Sequence, residues 1–87
     1  MLIAVSMMRD EEDVAEAVVR HLWAHGVDSI LIGDNLSKDG TGDILRANSV
    51  TVFDDPEIGY YQDAKMSALA RDAYEMGATW VLPFDAD

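Results

Sequence analysis

Leu2-Ile3-Ala4-Val5-Ser6-Met7 reads as a continuous apolar run near the start of the chain. Such a run suits a strand buried on both faces, as in the middle of a parallel sheet. The residues that follow change period. Val14, Ala15, Val18, Val19 and Leu22 fall at i, i+4 and i+8 with their neighbours, which is a helical stripe. Asp10 is placed to cap this helix, Glu11, Glu12 and Asp13 favour its positive end, and Gly26 is placed to end it.

The alternation repeats. Ser29 to Ile32 reads as a second strand, Gly33 to Gly42 as a loop, and Thr41 or Asp43 to Ala47 as a short helix. Val50 to Phe53 reads as a third strand and Asp54 to Gly59 as a turn, with Pro56 barring a strand interior. A long helix is expected over Tyr61–Met76, with Ala64, Leu69, Ala73 and Met76 inward and Gly77 as terminator. Thr79 to Phe84 reads as the fourth strand. Short connections in this order imply a parallel sheet with right-handed crossovers. The expected fold class is therefore α/β, a three-layer Rossmann-like arrangement. It has four mostly parallel strands in the order 3-2-1-4, with helices on both faces. Strand four then lies at an uncovered edge, where self-association is expected.

Composition narrows the function. The 87 residues allow one small domain, and 49% hydrophobic with 26% charged residues is a globular balance. Without cysteine there is no disulfide framework and no thiolate chemistry. Seventeen acids against six bases give a net charge of −11, which repels nucleic acid and anionic lipid. Any phosphate ligand then needs a cation as mediator. The apolar start is too short for a transmembrane segment and lacks the basic region of a signal peptide, so the expected location is cytoplasmic.

In a parallel sheet the loops after the strands lie on one edge, where open α/β sheets bind ligands. Four features meet there. They are Arg9-Asp10-Glu11-Glu12, the loop Asp34-Asn35-Leu36-Ser37-Lys38-Asp39-Gly40-Thr41, a helix carrying Gln62 and Lys65, and Asp85-Ala86-Asp87. With twelve aspartates in the chain, the Asp-x-Asp pair is expected from composition alone, so its setting carries its meaning.

This ordered set resembles the N-terminal, nucleotide-binding half of family 2-like glycosyltransferases with the GT-A fold. The similarity covers nearly the whole chain. It includes Gly26-Val27-Asp28 before the second strand and Gly77-Ala78-Thr79-Trp80-Val81 before the acidic pair, and the Asp-Asn…Asp-Gly-Thr loop is its most specific part. Leu36 stands where the family loop usually has Gly, and Lys38 where a small polar or acidic residue is common. The resemblance implies metal-assisted binding of a UDP- or GDP-sugar for inverting transfer to an acceptor. Glu11 would sit near the base or ribose, Asp34 and Asn35 beside base and sugar, and Asp39 would shape that loop. Asp85 and Asp87 would hold Mg²⁺ or Mn²⁺ against the diphosphate, a role that suits hard oxygen ligands. The family's acceptor half and catalytic base have no counterpart in these residues, so the chain is expected to be a partial domain, inactive alone.

Each residue also has a plainer reading. Glu11 and Glu12 stabilise a helix N-terminus without any ligand. Asp34 and Asn35 serve in turns. Lys65 and Arg9 are either solvated or phosphate contacts. His21 and His25 have the spacing of two metal ligands, but a helix C-terminal pair interacting with the dipole is the expected reading. Trp23, Trp80, Tyr60, Tyr61 and the five methionines are expected to pack. A non-catalytic nucleotide-binding or interaction module is the alternative function. A phosphotransfer enzyme would need its acidic pair after the first strand. A receiver domain would need an Asp after the third strand and a Lys after a fifth.

Overall fold

A computed structural model of the chain describes residues 1–35, 37–54 and 62–84. The expected turn around Pro56, the packing of Tyr60 and Tyr61, the departure at Leu36 and the Asp85–Asp87 pair lie outside the described residues. The elements run β1 (Leu2–Met8), α1 (Glu12–Ala24), β2 (Ser29–Asp34), α2 (Thr41–Ala47), β3 (Thr51–Asp54), α3 (Gln62–Glu75) and β4 (Trp80–Pro83). The four strands form one parallel sheet, as the alternating pattern requires, in the order β3-β2-β1-β4.

β1 organises both layers of core. Ile3, Val5 and Met7 point to one face, where they meet Leu31 of β2 and Leu69 and Ala73 of α3. Ala4 and Met8 point to the other, where they join Ile30, Ile32, the α1 residues Ala15, Val19 and Leu22, and Leu45 of α2. Strand side chains alternate between faces, so only a strand covered by helices on both sides can be apolar throughout. Register then aligns the strand ends: Met8 pairs with Asp34, and Asp34 with Asp54.

Gly26 (φ 88°) and Gly77 (φ 101°) turn the chain after α1 and α3 in the left-handed region that glycine occupies freely. Trp23 is half-buried against the α1–α2 core and its Nε1–H donates to the Asn48 carbonyl at 2.9 Å. No helix among the described residues is long and apolar enough to cross a membrane.

Several expectations need correction. Asp10 does not cap α1. It adopts φ 53°, and its carboxylate accepts from the Lys38 N–H instead, while Glu11 holds the cap position with no side-chain bond to the helix. On α3 the inward stripe is Met66, Leu69 and Ala73. Ala64 lies off that stripe and is exposed, and Met76 is past the last helical residue and 48% exposed. Met7 and Met8 are core residues, but Met1 is exposed at the chain's start. Trp80 does not pack; it is 71% exposed. It belongs to an edge strand, and its register with Leu2 places it on the α1 side, where no described helix covers it.

Candidate functional site

The loop after β1 and the loop after β2 are laced together by side chains of both. Asp10 N–H donates to Ser37 Oγ at 2.9 Å, and Lys38 N–H returns a bond to Asp10 Oδ1 at 2.7 Å. Glu11 N–H donates to the Thr41 hydroxyl at 2.9 Å, and Glu12 N–H to Asp39 Oδ2 at 3.2 Å. Asp39 Oδ1 accepts from both the backbone N–H and the hydroxyl of Thr41.

Asp39 therefore caps two helices. Glu12 opens α1 and Thr41 opens α2, and neither helix has a cap bond from its own N-cap residue, Glu11 or Gly40. The first N–H groups of a helix need outside acceptors, and a carboxylate is a strong one. The Thr41 hydroxyl bond, helped by the backbone N–H groups of Thr41 and Glu12, holds the Asp39 carboxyl below its ordinary value of 3.8 against a smaller opposing effect of desolvation.

Asp34 and Asn35 stand deeper. Asn35 is fully buried, and its N–H donates to the Met8 carbonyl at 2.9 Å, extending the β1–β2 ladder by one bond. Asp34 is half-buried and turned towards α2. A Cβ on Gly42 would lie 2.8 Å from Asp34 Oδ2 and 3.0 Å from Arg46 Nη1, so the missing side chain at Gly42 admits both groups. Arg46 pairs with Asp54 at 3.1 Å. Asp34 Oδ1 is buried and has no hydrogen-bond partner among the described residues.

Lys65 reaches the same end of the sheet from the opposite face. It lines a cavity of about 200 Å³ with Met7, Gly33, Phe53, Leu69 and Asp72. Gly33 lets Met7 lie flat there, since a Cβ would come within 2.5 Å of its sulfur. Glu11, Asp34, Asn35 and Asp39 are thus brought to one edge, with Lys65 across the sheet from them. Among the described residues no group of three or more His, Cys, Asp or Glu side chains is placed to hold a metal ion.

Ser37 and Thr41 belong to the loop that the sequence marks but carry no role of their own there, and Gly42 and Arg46 are participants that the sequence does not mark. Thr41 was legible: an Asp two residues before a Thr at a helix start is a local hydrogen-bonding pattern. Arg46 carries no such signal. No family model matches the chain, and no curated protein matches it.

The depressed Asp39 value gives a test with a defined sign. The folded value lies below the unfolded one, so the stabilisation is fully present above about pH 3.8 and is lost as pH falls through the folded value. Urea unfolding midpoints of Asp39→Asn should lie below wild type at neutral pH and converge on it in acid. Parallel curves across that range would remove the two-helix cap from the account.

Proposed function

We propose that the chain is the donor-binding part of a metal-assisted glycosyltransferase of the family 2-like kind. It takes a nucleoside-diphosphate sugar at the edge formed by the β1 and β2 loops. The observation that carries this reading is Asp34 Oδ1, a buried carboxylate oxygen without a partner among the described residues. Leaving such an acceptor unmade costs about 1–3 kcal/mol or more. An N–H donor removes that cost, and the ring N–H of uracil or guanine is a donor of the right kind once a local shift of the loop admits it to this buried oxygen. The position supports the same reading, because the C-terminal edge of an open parallel sheet is where ligands bind in this architecture.

The remaining roles follow the resemblance. Glu11 lies near base or ribose, with its backbone pinned by Thr41. Lys65 lines the cavity on the α3 side at this end of the sheet and suits a phosphate. Asp85 and Asp87 hold Mg²⁺ or Mn²⁺, which offsets the charge of the diphosphate. Asp39 is assigned to shaping the loop, since its oxygens are engaged by Glu12 and Thr41.

Calorimetric titration with UDP and GDP, with and without Mn²⁺, tests the proposal. Metal-dependent binding is expected for one of them, weakened roughly tenfold or more by Asp34→Ala. No binding of either nucleotide under any metal condition would sink it.

Association with a second copy through β4 belongs to the same proposal. Trp80 and Leu82 are exposed there, 71% and 41%. Pro83 tempers it, because it offers no N–H to a partner strand. Light scattering should give a mass that rises with concentration; a constant monomer mass contradicts it.

A further inference from the structure

We propose that His21 and His25 form a chelating site for a borderline transition-metal ion at the C-terminal turn of α1. The donor-binding reading uses neither residue. They stand one helical turn apart, His21 in the last turn and His25 at the C-cap, and both are exposed. Residues four apart share a helix face. Their ring centroids are 4.1 Å apart with the planes tilted by 38°.

The tautomer is set by the backbone. His25 Nδ1 lies 2.8 Å from the His21 carbonyl oxygen. A carbonyl only accepts, so Nδ1 carries the hydrogen and the lone pair resides on Nε2. Histidines that bind metals are held in this way. Their second ring nitrogen donates to a backbone carbonyl or carboxylate, which fixes the ring and makes the ligating nitrogen more basic. Bonds from Zn²⁺ to imidazole are about 2.0–2.1 Å, so two nitrogens on one ion stand roughly 3 Å apart. Ring centroids 4.1 Å apart are close to that separation, and with His25 held by its backbone bond it is the exposed His21 side chain that adjusts.

Imidazole pairs select Cu²⁺, Ni²⁺ and Zn²⁺ over Mg²⁺ and Mn²⁺, which prefer oxygen. This ion therefore differs in kind from the one implied at the acidic edge. The net charge of −11 raises the local concentration of any divalent cation. No third His, Cys, Asp or Glu completes a cluster among the described residues, so water would fill the remaining positions. When bound, the ion clips together the last turn of α1, just before the Gly26 turn.

The full chain is titrated with Ni²⁺ by calorimetry, beside His21→Gln, His25→Gln and the double variant. Both side chains are exposed, and circular dichroism verifies that the helices persist. Wild type should bind about one ion that excess Mg²⁺ does not displace, and each single substitution should weaken binding on the order of tenfold or more. Substoichiometric Cu²⁺ should broaden wild-type amide resonances around residues 21–26. The inference is overturned if wild type binds no Ni²⁺, if the double variant binds as wild type does, or if the broadening centres on residues 9–13 and 34–43. None of these outcomes depends on nucleotide binding, so the donor-site proposal stands or falls separately.

Discussion

A helix begins with backbone N–H groups that no residue of the helix can accept, and here two helices begin at one place without a cap bond from their own N-cap residue. Glu11 leaves α1 uncapped and Gly40 has no side chain to offer α2. The Asp39 carboxylate serves both, one oxygen for Glu12 and the other for Thr41. Thr41 in turn holds Glu11. These bonds join the loop after β1 to the loop after β2, so the acidic edge is a single surface and not two independent loops. The Asp10 and Asp39 carboxylates are held in place by bonds made within the protein before any ligand arrives.

That edge exists because of a constraint one level down. β1 is buried on both faces, and burial on both faces demands helices on both sides of a parallel sheet. Parallel strands end together, and their ends carry Met8, Asp34 and Asp54 in register. The apolar run near the start of the chain and the acidic loops are therefore linked: the first determines where the second gather. The uncovered face of β4, with Trp80 and Leu82 exposed, marks where that two-sided cover stops among the described residues.

Most of the architecture was legible in the sequence because it rests on period and punctuation. Apolar runs gave the strands, the stripe Val14 to Leu22 gave α1, and Gly26 and Gly77 end their helices as glycines do. The parallel sense of the sheet followed from the short strand–helix–strand connections, and the expected placement of strand four beside strand one agrees with the observed order. What escaped depends on tertiary placement. Asp10 reads as a cap, yet the bond from Lys38 N–H draws it to the neighbouring loop. Trp80 reads as core, yet an edge strand leaves it bare. Asp34, Asn35 and Asp39 were legible as candidates, but their different states were not. One has an orphaned oxygen, one is wholly buried, and one is engaged by two helices. Arg46 could not be found at all, since only the fold brings it beside Asp34 and Asp54.

The donor-binding proposal joins these levels. An acidic surface that repels anions becomes suitable for a diphosphate only with a cation in between, and a buried orphan acceptor becomes favourable only when a donor meets it. The most direct measurement is the location of the ligand. Backbone NMR shifts of the ¹⁵N-labelled chain are followed as a nucleoside diphosphate is added with Mg²⁺. The account predicts changes concentrated at residues 9–12, 34–41 and around Lys65, with the N-terminal ends of the strands unmoved. Changes confined to the opposite end of the sheet, or spread evenly over it, would contradict the account.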